Sequence, residues 1–160
     1  MKVRQRVYFL ATSDALTPEE ISAHLGMMAD LTSLRGSKRL GPPPLPRRHL
    51  WELRSLTPEN ARLDEQITAL LDRLSPMMSV IYSLAADGKI DIGIQVVRYF
   101  DPGPEDEAVL KAREDQIPLG LTILGGQHPR LGFHLGAEDI ARLAALGVSI
   151  DFDEYGDEYE

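Results

Sequence analysis

Residues 89–100 read KIDIGIQVVRYF, and this stretch decides the fold of the chain. Its first half places apolar residues at every second position, with polar residues or glycine between them: Ile90, Ile92, Ile94 and Val96. A strand with one face on a core and the other in water has this period of two. The parity of the apolar residues then changes at Val97 and Tyr99, which predicts a bulge or a sheet edge near Val97.

The segment before this strand predicts the helices that cover it. Apolar residues recur there at spacings of three and four, as on an amphipathic helix: Leu63, Ile67, Leu70, Leu71 and Leu74. Leu56-Thr57-Pro58-Glu59 predicts the start of this helix, because threonine can cap a helix and proline suits its first position. Pro76 predicts a kinked helix or two helices in sequence, and Asp87-Gly88 predicts the turn into the strand.

Both ends of the chain predict a strand next to a short helix. Residues 3–11 alternate as a first strand, and Thr17 is the predicted N-cap of a helix that ends at Gly26. Near the C-terminus, a helix closed by Gly147 precedes a last alternating strand at residues 148–153. We therefore predict a single α+β domain over residues 1–160, with one mixed or largely antiparallel sheet and helices packed on one face.

The composition narrows the functional classes. The chain has no cysteine, which excludes disulfides and thiolate chemistry and fits a reducing compartment. Its net charge of −8 argues against nucleic-acid binding through the whole surface. The apolar run at residues 7–11 is too short for a signal peptide, and no stretch reaches the length of a membrane span. We therefore expect a cytoplasmic protein that binds neither nucleic acid nor a membrane.

Three segments depart from the regular pattern: a proline- and arginine-rich loop at residues 29–47, a charged insertion at 101–117 and an acidic tail at 154–160. The loop and the short strand after it hold the candidate partner- or anion-binding residues: Arg35, Lys38, Arg39, Arg47, Arg48 and Trp51. Guanidinium groups match carboxylates and phosphates, and an indole ring can stack on a planar ligand. The alternative is that Trp51 belongs to the core, while the arginines are solvated or paired with the acidic tail, within one molecule or between two.

The outward face of the predicted sheet is the second candidate surface. The polar positions of its strands should point away from the helices: Arg4, Arg6, Glu52, Arg54, Asp91, Gln95, Ser149, Asp151 and Asp153. A sheet face of this kind meets either solvent or another protein.

No motif indicates a reaction. The four histidines lack the spacing that places two metal ligands on one face of a helix: His24, His49, His128 and His134. The chain has neither a nucleophile elbow nor a P-loop. The carboxylates of an exposed tail lack the contrasting environments that separate catalytic pKa values. We therefore expect no catalytic residue, no metal and no cofactor.

Several short motifs along the chain resemble the domain of unknown function 4279 family. They are LTPEEI at 16–21, Gly36, WEL at 51–53, LAALG at 143–147 and IDFDEY at 150–155. The stretch 101–130 and the triple proline at 42–44 depart from the family pattern. The resemblance implies a bacterial α+β domain and carries no established activity.

We expect a non-catalytic protein-binding module, of an immunity or regulatory type, that recognises another protein through the outward sheet face or the basic loop. A homodimer stays open as a further state. The alternative is a small-molecule sensor with a pocket between sheet and helices, and an enzyme of unknown type comes last. A deep pocket with convergent polar groups would favour these two classes, whereas a flat polar face would favour a protein partner.

Overall fold

The structure is a computed structural model that describes residues 2–38, 45–101 and 133–156. In these ranges the chain forms five strands: β1 (Lys2–Ser13), β2 (Leu31–Ser33), β3 (His49–Arg54), β4 (Asp91–Asp101) and β5 (Ser149–Gly156). It also forms four α-helices: α1 (Pro18–Leu25), α2 (Leu63–Leu74), α3 (Met78–Ala86) and α4 (Ala137–Leu146). No helix of these ranges has the length and apolar character needed to cross a bilayer.

The strands form one mixed sheet in the order β2-β3-β1-β4-β5, in which β4 and β5 run parallel and the other neighbours antiparallel. The inward face of the sheet carries buried side chains of the central strands: Val7, Phe9, Ala11, Trp51, Leu53, Ile94 and Val96. The helices pack on this face and enclose the core with it. The predicted α+β fold, with a mixed sheet and helices on one face, is confirmed.

Helix α1 begins and ends where the sequence predicts. Thr17 Oγ1 accepts a hydrogen bond from the backbone N–H of Glu20 at 3.3 Å, and the Glu20 carboxylate accepts one from the backbone N–H of Thr17 at 2.8 Å. This capping box satisfies two backbone donors, and the hydrogen bonds from Thr17 lower the pKa of Glu20. Gly26 ends the helix with a φ of 66°, in the left-handed conformation that glycine adopts most easily.

Strand β4 continues without interruption through Val97, so the predicted bulge or edge at this position is wrong. Strands β1 and β4 keep one antiparallel register over 11 residue pairs. The inward parity also continues, because Arg98 and Phe100 are buried beyond Val96. Val97 and Tyr99 therefore lie on the outward face of an unbroken strand. Apolar residues on that face, rather than a break in the strand, change the parity of the pattern.

Helix α2 begins at Leu63 rather than at residues 56–59, so its predicted start is wrong. Residues 55–61 lie along β1, at the point where β3 ends. Backbone hydrogen bonds join this segment to Val7 at 2.9 Å and to Gln5 at 2.7 Å. They satisfy backbone groups of β1 that β3 leaves unpaired, and this long-range pairing outweighs the local preference for a helix start.

Pro76 divides the helical segment as one of the two alternatives predicts. It lies in a 3-10 turn, Ser75–Met77, that separates α2 from α3. Gly88 then takes a φ of 68° in the turn before β4. The two-helix alternative and the turn at Asp87-Gly88 are thus the observed structure.

The predicted loop at 29–47 begins with an edge strand, because β2 pairs with β3 from Leu31 to Ser33. The chain turns at Gly36, which has a φ of 75°. The predicted tail likewise begins within β5, which extends to residue 156. Residues 39–44 of the loop, 102–117 of the charged insertion and 157–160 of the tail lie outside the described residues.

Candidate functional site

Arg35 in the basic loop, which is the proline- and arginine-rich loop at residues 29–47, and Arg48 directly after it hold the loop to the sheet. Arg48 Nη1 donates to Thr12 Oγ1 at 3.1 Å and to the Asp91 carboxylate, and Arg48 Nε lies 3.1 Å from the Asp14 carboxylate. Arg35 also faces Asp14, at 3.7 Å. Both guanidinium groups therefore have acidic partners within the molecule, at the ends of β1 and β4.

Trp51 is fully buried in the core and does not lie beside these arginines. Its Nε1 donates to Ser22 Oγ at 2.9 Å. Its ring meets Phe9 edge to face, with 6.3 Å between the ring centroids. A buried indole cannot stack on a ligand, so the placement of Trp51 in a binding surface is wrong. Trp51 belongs to the core, as the alternative interpretation held.

The acidic end of the chain lies far from the basic loop. The loop joins the β2–β3 side of the sheet, whereas β5 forms the opposite edge and Glu154 lies towards its C-terminal end. Strand spacing and strand length together separate the two regions by roughly 25 Å. Glu154 pairs instead with the nearly buried Arg98 at 2.6 Å. The predicted pairing within one molecule is therefore wrong for the described residues. The exposed Lys38 and Arg47 lie in the loop, and Arg39 lies outside the described ranges.

The outward face of the sheet carries apolar and aromatic side chains that cross it diagonally. The strand registers place these residues side by side from β3 to β5. We call them the central stripe: Leu50, Leu10, Tyr8, Val97, Tyr99 and Tyr155. Tyr155 is 44% exposed. In the described ranges the helices all pack on the opposite face. Val97 is nevertheless buried, and the other members of the stripe apart from Tyr155 are half-buried.

Charged side chains lie on both sides of the central stripe. The arginine flank lies on β1 and β3 and consists of Arg4, Arg6 and Arg54. The carboxylate flank lies on β5 and consists of Asp151 and Asp153. The outward face is therefore apolar along its centre, with arginines and the paired glutamates Glu52 and Glu59 on one side and aspartates on the other.

Two arginines of the arginine flank form ion pairs with glutamates. Arg6 Nη2 lies 2.6 Å from Glu59, and Arg54 Nε lies 2.7 Å from Glu52. Hydrogen bonding with Tyr8 and Glu59 raises the pKa of Arg6, and hydrogen bonding with Glu52 raises that of Arg54. These groups remain charged at every physiological pH.

The tyrosines of the central stripe are held by ring contacts. The Arg4 guanidinium lies 5.2 Å from the ring centroid of Tyr99, and that of Arg54 lies 5.8 Å from the ring centroid of Tyr8. Tyr99 stacks on Tyr155 with 5.4 Å between centroids and an interplanar angle of 21°. Rings fixed in this way lose little conformational entropy when a partner covers them.

A small cleft opens beside the arginine flank, where β3 leaves β1. Its volume is about 240 Å³, and residues 5–8 of β1, 54–59 of the following segment and Gln66 of α2 contribute to its lining. Gln66 is 1% exposed, and its Nε2 donates to the backbone oxygens of Gln5 at 3.1 Å and Ala61 at 3.2 Å. The cleft is polar and lies at the margin of the sheet rather than between the sheet and the helices.

The family model for a domain of unknown function (DUF4279) matches residues 1–157 of the 160-residue chain. The chain belongs to the DUF4279 family. No curated protein and no solved structure matches the chain. Family membership thus supports the resemblance seen in the sequence motifs and brings no activity with it.

The sequence contains a signal for the central stripe of this DUF4279 domain. Tyr8 and Leu10 occupy outward positions of the first strand, and Val97 and Tyr99 change the parity of the second. Taken alone, the pair Tyr8 and Leu10, or the pair Val97 and Tyr99, indicates only a local irregularity in the alternation of its own strand. Only the register between β1 and β4 shows that both pairs lie on one surface.

In the described ranges, no three histidine, aspartate or glutamate side chains are grouped to hold a metal ion.

Proposed function

We propose that this DUF4279 protein is a non-catalytic protein-binding module of an immunity or regulatory type, which works in the bacterial cytoplasm and receives its partner on the outward sheet face. The observation that carries this proposal is the central stripe. On the described part of the chain no helix covers this face, and the half-buried Tyr8 and Tyr99 and the exposed Tyr155 keep part of their apolar surface in water. Contact with another protein would remove it from water.

The chemistry of the face supports a protein partner. Tyrosine and arginine are enriched in protein interfaces and carry much of their binding energy, and on this face the tyrosines lie in the central stripe with the arginines beside it. The charged flanks would form the polar rim around an apolar centre. The stacked rings of Tyr99 and Tyr155 are already ordered, which lowers the entropic cost of association.

The basic loop is the weaker of the two candidate surfaces. Arg35 and Arg48 already have carboxylate partners in the molecule, so an external anion would have to compete with Asp14 and Asp91. Trp51 offers no surface to a ligand because it is buried. The outward sheet face therefore replaces the loop as the proposed binding surface.

A pair of tyrosine variants tests the proposal. Tyr155 lies on the outward face and is 44% exposed, whereas Tyr82 lies on α3 in the helical layer and is 58% exposed. We expect a partner captured by the wild-type protein from its native cell extract to be retained by Tyr82→Ala. Tyr155→Ala should weaken its binding about tenfold or more in a titration with the purified partner, as for a tyrosine hot spot. Equal binding by all three proteins would place the partner surface elsewhere.

The cleft supports a second candidate function, a small-molecule sensor. Its polar lining includes the guanidinium groups of Arg6 and Arg54 and the hydroxyls of Ser55 and Thr57. Its volume is below the usual range for ligand pockets, which start at about 300 Å³. Thermal-shift measurements with a panel of small carboxylic acids test this function. A stabilisation by one compound that disappears in Arg54→Ala would favour the sensor.

A further inference from the structure

We propose that the partner of the outward face is a second copy of this chain. The two copies would stack their central stripes face to face around a two-fold axis. This inference rests on the proposed function, because it uses the same surface, and it names the occupant of that surface. The observation behind it is the arrangement of opposite charges on the two sides of the central stripe.

A two-fold axis that runs along the central stripe makes the charges complementary. Rotation about such an axis exchanges the two sides of the face, so the arginine flank of one copy meets the carboxylate flank of the other. The same contact then forms twice, as an isologous interface requires. In the register, Arg6 on β1 aligns with Val97 on β4 and Asp153 on β5, so each flank lies within two strand spacings of the other. This spacing allows the long arginine side chains to reach the carboxylates of the second copy.

The other orientations of the two copies are unfavourable. A two-fold axis across the central stripe would place the arginine flank of one copy over that of the other. Like charges that face each other in an interface cost free energy, so this arrangement is disfavoured. The charge pattern therefore selects the axis along the central stripe and excludes the crossed one.

The ion pairs within each molecule do not exhaust the arginine flank. Glu59 accepts from Nε and Nη2 of Arg6, which leaves further N–H donors of a group that has five. The side chain of Arg6 is 45% exposed, and that of Arg54 is 47% exposed. Asp151 is exposed on the other flank. An incoming carboxylate can thus join an arginine without displacing its glutamate.

The size of the face predicts a reversible dimer. The outward face measures about 30 Å along the strands and about 20 Å across them, or roughly 600 Å² per copy. Two such faces bury roughly 1,200 Å² in total, which is at the low end for specific interfaces. We therefore expect monomer and dimer to exchange with concentration rather than form a permanent dimer.

A charge-swap experiment tests this dimer by analytical ultracentrifugation. Arg6→Glu places a carboxylate opposite Asp151 and Asp153 of the second copy, and Asp151→Arg places a guanidinium opposite the arginine flank of the second copy. Each variant alone should dimerise about tenfold more weakly than the wild-type protein. In a two-fold dimer of one variant with the other, the new carboxylate at position 6 meets the new guanidinium at position 151, and the unchanged Asp151 meets the unchanged Arg6. An equimolar mixture should therefore form a heterodimer at least as tight as the wild-type homodimer. Added salt should weaken both.

Matched controls in the helical layer separate this effect from net charge. Arg62 and Asp72 lie on or beside α2, with side chains that are 71% and 68% exposed. The variants Arg62→Glu and Asp72→Arg should dimerise as the wild-type protein does, alone and when mixed. Circular dichroism melts of all four variants confirm that each is folded before its mass is measured.

The outcomes distinguish this inference from the proposed function. A wild-type protein that is monomeric up to millimolar concentration, or a mixture of variants without a heterodimer, overturns the self-association. If Tyr155→Ala still loses a different captured protein, the outward face remains a protein-binding surface with another occupant. If Tyr155→Ala changes neither capture nor dimerisation, both proposals fail together.

Discussion

Gln66→Leu is expected to lower the free energy of unfolding by about 1 kcal/mol. Gln66 is 1% exposed, and its Nε2 donates to the backbone oxygens of Gln5, Ala61 and Pro58, at 3.1, 3.2 and 3.4 Å. This one amide joins β1 to the segment that follows β3 and to the first turn of α2. Leucine has nearly the same volume and no donor.

The magnitude follows from the donors that remain. Ala61 keeps a hydrogen bond from Gln5 Nε2 at 2.6 Å, and Pro58 keeps one from the Ala61 N–H at 2.9 Å. Among the described residues, only the Gln5 carbonyl loses its donor. One buried carbonyl without a donor costs about 1–3 kcal/mol. The added apolar burial of leucine offsets roughly 1 kcal/mol of this.

A second variant at this position, Gln66→Glu, should have a free energy of unfolding that depends on pH. A protonated glutamic acid can donate one hydrogen bond to these carbonyls, whereas the carboxylate repels them. Burial then raises the pKa of the new side chain above its unfolded value of about 4.3. The folded state binds the proton more tightly, so its stability relative to wild type is highest below about pH 4. As the pH rises from about 4 towards the pKa of the folded state, the free energy of unfolding should fall by about 1.4 kcal/mol per pH unit.

Urea unfolding at pH 4 and pH 7 measures both effects. The exposed neighbour provides the control, because Glu65→Leu should stay within about 0.5 kcal/mol of wild type. A neutral Gln66→Leu would show that the amide does not hold the segment in place. An equal loss for Gln66→Glu at the two pH values would show that its carboxylate escapes to solvent.

Three further predictions concern the sheet, the first helix and the chain end. In urea melts, Ile94→Ala should lower the free energy of unfolding by about 2–5 kcal/mol, and the outward Gln95→Ala by less than about 1 kcal/mol. Equal losses would contradict a sheet that is covered on one face. Thr17→Ala should cost about 1 kcal/mol and Thr17→Ser almost nothing, and an equal cost would contradict the cap. Removal of residues 157–160 should leave the melting temperature unchanged. Removal of 154–160 should lower it by several degrees, because it also removes the end of β5, the stacked ring of Tyr155 and the carboxylate that pairs with a nearly buried guanidinium. The same curve for both truncations would refute that pair.

The same four residues, Leu-Thr-Pro-Glu, occur twice in the chain and adopt different structures. At 16–19 they start α1, because Glu20 completes the capping box. At 56–59 the corresponding position is Asn60, and the Thr57 hydroxyl lies 2.6 Å from Ser55 Oγ instead of capping a helix. The missing glutamate was visible in the sequence. The competing contact with β1 was not, because it joins residues more than fifty positions apart.

Local signals therefore predicted local structure in this chain, and long-range pairing decided the rest. The alternation of β4, the cap at Thr17 and the left-handed glycine at Gly26 depend on neighbours within a few residues, and all are observed. The register of β1 against β4 brings together residues that are far apart in the chain. No periodicity within either strand specifies that register, so the polar outward positions were predictable but the central stripe between them was not.

The two groups of arginines differ in what their charges can still do. Arg48 contacts Thr12, Asp14 and Asp91, and its Nε is a buried atom. These three contacts join the loop to the ends of β1 and β4, so its role in holding the loop is sufficient to explain it. Arg6 meets its carboxylate at the surface, where an exposed pair contributes only about 0–1 kcal/mol to stability. A guanidinium with so small a structural contribution, on the same face as the exposed Tyr155, can accept a second carboxylate while it keeps its contact with Glu59. We therefore propose the outward face as the binding surface, although the loop has the denser run of basic residues in the sequence.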